Sequence, residues 1–338
     1  MRRLQQEDAV DAAIGADDER AFVASVERYR RELQLHCYRM LGSVEDSEDL
    51  VQETLLRAWR KRGEFEGRST LRAWLYRIAT NACLDALRRR PPRVLPIDVA
   101  PAADPHQPLP SPARRPWLDP YPERLLEAIA SGEEEPEEAV LRKETIELAF
   151  LAAIQHLPPR RRAVLILRDV LGWSARDTAA TLGISINAVN SSVQRARSTL
   201  GARLPRRRSE WAQRDPSSTE RALLQRYMIA HEQGDVDGLA RLLSDDVRAS
   251  APPLPLWYEG RESLLASTRR SASAGRFRYL PTMANRQPAA ASYVRAPGES
   301  VHRPMGIDVL AVQDGLVAEI TAFLRPELFA AFGLPPAL

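Results

Sequence analysis

Lysine and cysteine are both scarce in this chain of 338 residues. Lysine occurs only at Lys61 and Lys143, so the basic character comes almost entirely from arginine. The formal net charge is only +3, and a surface that attracts a polyanion must therefore be local. The two cysteines, Cys37 and Cys83, lie in apolar helical patterns without a second pair of metal ligands nearby. We expect reduced core thiols, with no disulfide, metal site or cofactor.

Long apolar runs are also missing. No stretch is long enough to cross a bilayer, and residues 1–8 lack the hydrophobic core of a signal peptide. We therefore expect a cytoplasmic protein without a membrane partner. The length allows two or three domains.

The clearest pattern that is present is a helix-turn-helix between residues 172 and 203. Ser174 is suited to cap a first helix that ends at Gly183, and Ser185 to cap a second helix that continues to about Arg203. Apolar residues at intervals of three and four form the seam between the helices, namely Ala179, Leu182, Ile184, Val189, Val193, Ala196 and Leu200.

The opposite face of the second helix is polar and free of acidic residues. It carries Asn187, Asn190, Ser191, Gln194, Arg195 and Arg197. Amides, hydroxyls and arginines of this kind bind base edges and phosphates in a major groove. Two packed helices with a solvated arginine face are the alternative at this point.

Residues 19–90 predict a domain made only of helices. In the helix at residues 48–60, one face is apolar and the other is a mixed face that suits a protein partner, with Asp49, Gln52, Glu53, Leu56 and Arg60. A long helix then starts after Ser69-Thr70 and stops at Pro91-Pro92. Outside its buried seam it carries a basic and aromatic set typical of surfaces that hold phosphates and unstacked bases, namely Arg72, Trp74, Arg77, Asn81, Arg88 and Arg89.

Residues 91–138 differ in composition from both neighbours. Twelve of the 26 prolines lie between residues 91 and 136, which favours an extended spacer. The segment at residues 117–126 is an exception, because its aromatic and leucine content indicates that it docks on another part of the chain. A second linker is predicted at residues 205–218.

The last part of the chain predicts an α+β domain. Helical patterns at residues 219–243 precede strand candidates at 276–280, 282–287, 289–295, 304–312 and 316–324. Asp314-Gly315 is a hairpin turn signal. We place this domain at residues 219–330, followed by a tail at 331–338.

At this point the two helical blocks show a resemblance. Residues 45–59 and 65–88 closely resemble region 2 of the extracytoplasmic-function (ECF) sigma factors of bacterial RNA polymerase, and residues 157–169 with the following helix-turn-helix resemble their region 4. The resemblance implies two all-α domains, at residues 19–90 and 139–204, joined by a linker that threads through the polymerase. The partners it implies are core RNA polymerase and promoter DNA.

The same resemblance implies roles for individual residues. The face formed by Asp49, Gln52, Glu53, Leu56 and Arg60 would bind the clamp helices of the polymerase. The −10 promoter element would contact Phe65, Arg68, Ser69, Thr70, Arg77, Asn81 and Arg88. The polar face of the second helix in the helix-turn-helix would contact the −35 element.

The C-terminal domain resembles the SnoaL-like domains, with a cystatin-like cone, that are fused to some of these sigma factors. Such folds enclose a pocket, and the candidate residues are His231, Trp257, Tyr258 and Asp308. We interpret the chain as a non-enzymatic sigma factor regulated in cis by this domain, which would take a small-molecule ligand. The alternative is an acid-base enzyme or a small-molecule sensor fused to a DNA-binding module.

Overall fold

Two structural units make up the chain, and their boundaries do not follow the sequence in order. The computed structural model describes residues 19–65, 69–130, 146–203, 217–271 and 275–338. The first unit comprises residues 1–92 and 127–211, and the second comprises residues 93–126 and 212–338. The proline-rich segment therefore belongs to the same unit as the C-terminal domain, although the sequence predicts a separate spacer at residues 91–138.

The amino-terminal half of the first unit is helical, as predicted. Its helices are α1 (Glu19–Glu27), α2 (Arg30–Leu41), α3 (Val44–Arg60) and α4 (Leu71–Leu87). Polar side chains start two of them, because the Ser43 hydroxyl accepts from the Asp46 amide at 3.3 Å and the Thr70 hydroxyl from the Ala73 amide at 3.2 Å. Val51, Ala58 and Leu75 are almost fully buried between the helices.

The second half of the first unit contains the predicted helix-turn-helix. Helix α5 (Glu123–Ala130) begins in the second unit and ends in the first. It is followed by α6 (Leu148–Gln155), α7 (Pro159–Leu165), α8 (Ala175–Leu182) and α9 (Ile186–Arg203), with a π-turn at Ile166–Val170. Ser174 caps α8, and Gly183 ends it at a φ of 63°. The acidic run at residues 133–138 and the predicted start of a helix at 139 lie outside the described residues.

The second unit is an α+β domain built on one curved sheet. Its elements are α10 (Ser218–Gln233), α11 (Val236–Ala240), β1 (Leu243–Ser250), β2 (Trp257–Glu259), α12 (Arg261–Ser271), β3 (Arg276–Ala284), β4 (Gln287–Arg295), β5 (Arg303–Gln313), β6 (Leu316–Phe323) and α13 (Leu328–Phe332). The strand order is β2-β1-β6-β5-β4-β3. Only the β1–β6 pair is parallel among these neighbours.

Two details of the sheet differ from the sequence prediction. Residues 276–284 form one strand, β3, which passes through Pro281, so the predicted break at 281 is absent and the predicted strand at 282–287 ends three residues early. Proline is tolerated there because β3 lies at the edge of the sheet. The strands β1 and β2 were not predicted, since β1 is mostly polar in sequence and is held by parallel pairing to β6, which is distant in the chain.

The proline-rich segment packs against the C-terminal domain through buried side chains and backbone hydrogen bonds. Trp117, Leu118 and Tyr121 are at most 4% exposed. The Trp257 indole donates to the Ala100 carbonyl at 2.8 Å, and the Ala103 amide donates to the Trp257 carbonyl at 2.8 Å. These contacts confirm that the segment at residues 117–126 docks, and they extend the docked part back towards residue 93.

The turn between β3 and β4 depends on this docked segment. Asn285 and Arg286 both have positive φ angles, 55° and 61°, a conformation that costs a non-glycine residue about 1–2 kcal/mol. Tyr121 pairs with Asn285 in both directions, through its amide to the Asn285 side chain at 2.8 Å and through its carbonyl to the Asn285 amide at 2.9 Å. The Glu123 carboxylate accepts from the Arg286 amide at 3.1 Å. These bonds offset the cost of the turn.

A buried carboxylate fixes the same segment electrostatically. Asp119 is 4% exposed and pairs with Arg325, which follows β6, and with Arg93 at 3.8 Å. A carboxylate buried to this extent needs such partners, because desolvation strongly disfavours an isolated charge. Asp119 is therefore a central attachment point between the proline-rich segment and the domain.

We expect the substitution Asp119→Ala to lower the free energy of unfolding of the second unit by about 2–4 kcal/mol, because it removes the buried carboxylate that joins the partly buried Arg93 and Arg325. Chemical denaturation of the full chain measures the change. The matched control is Glu299→Ala, which removes an exposed ion pair with Arg303 and should cost about 0.2–1 kcal/mol. Equal losses for the two variants would contradict a central role for Asp119.

Candidate nucleic-acid and protein interfaces

The polar face of α9 is exposed over a buried apolar seam. Val189, Val193, Ala196 and Leu200 are at most 8% exposed, and they pack α9 against α8 and the helix that precedes it. The predicted DNA-facing residues, Asn187, Asn190, Ser191, Gln194, Arg195 and Arg197, are all exposed. The Ser185 hydroxyl accepts from the Ala188 amide at 3.2 Å and sets the start of the helix. The structure thus brings these six residues together on one side of one helix.

Arg197 differs from the other members of this face because its guanidinium is already engaged. It donates to both carboxylate oxygens of Asp169, from Nε and from Nη2, at 2.8 Å each. Asp169 lies in the π-turn before the helix-turn-helix and was not among the predicted site residues. A bidentate pair of this kind orients the arginine, so Arg197 is held in place while Arg195 is not bound to this carboxylate.

A second exposed polar row lies on α4. Arg77, Asn81 and Arg88 are exposed, as predicted, and Ser69 and Thr70 are exposed just before the helix. Arg88 also pairs with Asp85 at 2.8 Å. The predicted residue Arg68 lies outside the described residues.

Two residues predicted for the open faces of α4 are not free there. Trp74 is only 3% exposed and packs against Phe65 with ring centroids 5.3 Å apart. Arg72 donates to the buried carboxylate of Glu32 at 3.0 Å. The prediction for Trp74 was therefore wrong, because the indole is buried against Phe65 instead of facing solvent.

The mixed face of α3 is open to solvent. Asp49, Gln52, Leu56 and Arg60 are exposed, and Leu56 is the most exposed large apolar side chain of this helix, at 52%. Glu53 is half-buried and accepts from Arg57 Nε at 2.7 Å. An exposed leucine surrounded by carboxylates and an amide is typical of a surface that another protein covers.

The four candidate pocket residues of the C-terminal domain lie in two separate places. Asp308 on β5 is buried and accepts a hydrogen bond from the Tyr227 hydroxyl of α10 at 3.0 Å. His231 packs edge-on against Tyr227 with ring centroids 4.5 Å apart. Trp257 and Tyr258, on β2 at the far edge of the sheet, contact the proline-rich segment or the Arg270 guanidinium.

Tyr227 and Tyr279 lie beside Asp308 and His231, and neither was among the predicted pocket residues. Tyr279 packs against His231 at 5.5 Å and against Tyr227 at 6.4 Å, measured between ring centroids. The spacing of four between Tyr227 and His231 on α10 is a signal that could have joined them. Burial raises the pKa of Asp308 to about 7, an effect that the Tyr227 hydrogen bond partly offsets. Burial lowers the pKa of His231 to about 4.

The described part of the chain contains neither a candidate metal cluster nor a membrane-spanning helix. No group of three His, Cys, Asp or Glu side chains within it is placed to hold a metal ion. No helix within it is both long enough and apolar enough to span a membrane.

Three family models match the chain in the order of these features. Residues 25–91 match sigma-70 region 2, residues 147–200 match sigma-70 region 4, and residues 224–320 match a SnoaL-like domain. The exposed rows on α3 and α4 thus fall in the first match, and α9 falls in the second. The buried Tyr227–Asp308 pair falls in the third.

Individual proteins are similar over most or part of the chain. The ECF RNA polymerase sigma factor SigG of Mycobacterium tuberculosis (strain ATCC 25618 / H37Rv) is 44% identical over 328 residues, which cover 96% of this chain and 86% of SigG. SigW of Bacillus subtilis (strain 168) is 29% identical over 188 residues, or 55% of this chain and 90% of SigW. The crystal structure of M. tuberculosis SigJ has the same fold, with a TM-score of 0.56 and 21% sequence identity. The match covers 93% of this chain and 99% of SigJ.

The two perturbed groups beside Tyr227 predict opposite dependences of stability on pH. Between about pH 4 and 7, Asp308 is ionised in the unfolded chain but protonated in the fold, so its contribution to stability falls as pH rises. His231 is protonated in the unfolded chain and neutral in the fold between about pH 4 and 6.5, so its contribution rises. Tyr279 and Glu232 also border this cluster.

We therefore expect Asp308→Asn to make the second unit gain stability, relative to wild type, as pH rises from 4 to 6.5. His231→Phe should make it lose stability over the same range. Thermal unfolding of the full chain at several pH values measures both slopes of stability against pH. Hydrogen exchange of the β5 amides at the same pH values reports on the second unit alone. Wild-type slopes in both variants would show that neither group titrates as described.

Proposed function

This chain belongs to the ECF sigma factors of RNA polymerase, which bind the core enzyme and promoter DNA, and we propose that three of its exposed surfaces make those contacts. The chain is thus a transcription initiation factor. The observation that supports the assignment is that the polar rows on α9, α4 and α3 are exposed while the apolar seams beneath them are buried. We place the protein in the cytoplasm, where RNA polymerase works.

The α9 row is proposed to contact the −35 element in the major groove. Asn190 and Gln194 lie one turn apart on the exposed face, and Arg195 is next to them. Amides are suited to adenine edges, and arginine to guanine edges or phosphates. Because Arg197 is paired with Asp169, we assign it a positioning contact to the DNA backbone and not a base contact.

The α4 row and the turn before it are proposed to hold the −10 element. Arg77, Asn81 and Arg88 supply positive charge and hydrogen bonds along one exposed side of the helix. Phe65, supported by Trp74, supplies an aromatic surface for an unstacked base, and such stacking contributes about 1–3 kcal/mol per base. Ser69 and Thr70 lie between these two groups, with Thr70 also capping α4.

The α3 row is proposed to bind core polymerase. Leu56 offers an apolar centre, and Asp49, Gln52, Glu53 and Arg60 surround it. These side chains point away from the buried residues Val51 and Ala58. A charged and amide rim around a leucine fits a helical partner with a complementary polar rim.

We expect Asn190→Ala and Arg195→Ala each to weaken binding of the −35 element by about 1–3 kcal/mol, as the loss of one base contact does. Arg197→Ala should reduce binding more uniformly across promoter sequences. It should also lower the slope of log affinity against log salt concentration by the amount expected for about one phosphate contact. Binding of holoenzyme to a promoter library at several salt concentrations measures both effects. Unaltered sequence preference in Asn190→Ala and in Arg195→Ala would contradict the assignment of the α9 face.

Regulation in cis is proposed to act through the proline-rich segment. This segment joins regions 2 and 4, and in ECF sigma factors the equivalent linker is expected to thread through the polymerase. Residues 93–126 are instead part of the C-terminal unit, with Trp117, Leu118 and Tyr121 buried in it. The same residues cannot be buried in that unit and extended through the polymerase, so docking and core binding compete.

The C-terminal domain is proposed to be this regulator and not a catalyst. Trp257 and Tyr258 contact the docked segment or Arg270, which itself donates to the Pro105 carbonyl at 2.7 Å. They are thus engaged in holding the linker and do not lie beside Asp308 and His231. The acid-base enzyme is not favoured, and the small-molecule ligand expected for this domain stays a prediction centred on Asp308 and His231.

If docking competes with core binding, Asp119→Ala should raise transcription at limiting sigma concentration, because it weakens the attachment of the segment. Glu299→Ala should leave it unchanged. Run-off transcription with purified core polymerase on one promoter, with both full-length variants, measures the difference. Equal activity of Asp119→Ala and wild type, together with a measured loss of stability in the second unit, would contradict cis regulation by the linker.

A further inference from the structure

One end of the sheet in the second unit carries three arginines that have no carboxylate partner in the described part of the chain. Arg276 and Arg278 lie on β3 and are exposed, and Arg295 ends β4 and is half-buried. We call these three residues the arginine patch. The ion pairs described in the second unit belong to other arginines, namely Arg93, Arg248, Arg261, Arg286, Arg303 and Arg325.

The pairing of the strands places the arginine patch on one face of the sheet. Arg276 lies directly opposite Arg295 in the antiparallel β3–β4 ladder, and Arg278 lies two residues further along β3. Residues directly opposite each other share a face, and so do residues two apart on one strand. The β4–β5 register turns Arg303 to the other face, where it pairs with Glu299 at 3.7 Å. Arg303 is therefore not part of the patch.

The direct opposition of Arg276 and Arg295 costs stability. Cβ atoms in such a pair are about 4.5–5.5 Å apart, and like charges at this spacing destabilise a sheet. The nearby imidazole of His302 responds to the same charges: burial lowers its pKa, and Arg295 and Arg278 lower the pKa further, although Glu232 acts in the opposite direction. An anion bound over the patch would offset the repulsion that the fold itself leaves in place.

Charge is separated across this sheet. The strand order places β3 at one edge and β2 at the other. Near the β2 edge, the acidic residues Asp246, Glu259 and Glu262 are exposed, whereas Arg248 and Arg261 pair with carboxylates. A polyanion is therefore attracted by the β3 edge and repelled by the β2 edge, and this polarity orients the domain towards it.

The spacing and the chemistry of the arginine patch suit phosphate groups. Two residues along a strand span about 6.7 Å, and phosphates on one strand of duplex DNA follow at about 3.4 Å along the axis, so the patch meets about two of them. Each guanidinium presents a fork of donors that fits a phosphate. An acidic protein surface is the alternative occupant. Protein interfaces have an apolar centre, but Tyr293, which lies opposite Arg278 on this face, is fully buried.

We propose that the arginine patch binds the phosphate backbone of duplex DNA that flanks the −35 element, which makes the C-terminal domain a third DNA-contacting part of the chain. The segment 204–216 separates α9 from the start of this domain, and at about 3.5 Å per residue it spans at most about 45 Å. The flanking duplex is therefore within reach. The inference goes beyond the contacts proposed for α4 and α9, and it rests on the proposed function only in that the chain acts on DNA.

The test compares the salt dependence of DNA binding by holoenzymes made with full-length chains. The variant combines Arg276→Gln, Arg278→Gln and Arg295→Gln, and binding is measured on a promoter fragment and on a random duplex of equal length. The slope of log affinity against log salt concentration should fall by about 1.8, or about 0.9 for each of two phosphates. The affinity advantage of the wild type should thus shrink roughly twelvefold between about 50 and 200 mM salt, on both duplexes.

The matched control is Arg226→Gln. Arg226 is an exposed arginine of the same domain, but it lies on α10, which packs on the Tyr279 side of β3, so the salt slope should stay as in the wild type. The thermal stability of the triple variant should be equal or higher, because the repulsion between Arg276 and Arg295 is removed. If the triple variant loses stability, Arg278→Gln alone decides the test, with an expected slope change of about 0.9.

Wild-type salt slopes in the triple variant and in Arg278→Gln would overturn the proposal. Weaker binding of the triple variant to core polymerase without DNA, at an unchanged salt slope, would overturn it too and would identify an acidic protein surface as the occupant. A wild-type holoenzyme that binds the promoter and the random duplex equally would contradict the promoter contacts proposed for α4 and α9. The slope difference on the random duplex would still decide whether the arginine patch binds DNA.

Discussion

The paired carboxylate of Asp119 is the interaction on which the arrangement of the chain depends most. It lies in the segment between the two sigma regions, yet its partners include Arg325, which follows the last strand of the chain, β6. Desolvation makes a lone buried carboxylate costly, so Asp119 can be buried only when Arg325 lies beside it. The segment therefore packs in place only after the last strand of the C-terminal domain has formed. The linker and the C-terminal domain therefore form one folded unit, although the linker lies between the two sigma regions in the sequence.

The described part of the chain uses buried polar groups in two ways. Asp119 and Glu123 each pair with arginine. The opposite charges offset the cost of taking each group out of water. Around Arg162, a charge meets only carbonyl dipoles. A pair of the first kind is costly to break, because removing either partner leaves a buried charge without an opposite charge.

The sequence predicted those features that depend on neighbours a few residues away. The caps at Ser174 and Thr70, the seam of α9 and the exposed polar face of α9 follow from local spacing, and the structure confirms them. Features set by distant residues were not predictable in this way. Trp74 is buried because Phe65 and the packing of α4 enclose it, and β1 is a strand because β6 pairs with it. The role of each site residue toward DNA or polymerase stays a prediction.

The dependence of the β3–β4 turn on Tyr121 and Glu123 has a consequence for biosynthesis. A ribosome produces the chain from the amino terminus, so both sigma regions emerge before the strands to which residues 93–126 attach. At typical rates of about 5–20 residues per second, the remaining residues after region 4 take on the order of ten seconds to appear. Each nascent molecule therefore passes through an interval in which both sigma regions are present and the linker still has no domain to pack against.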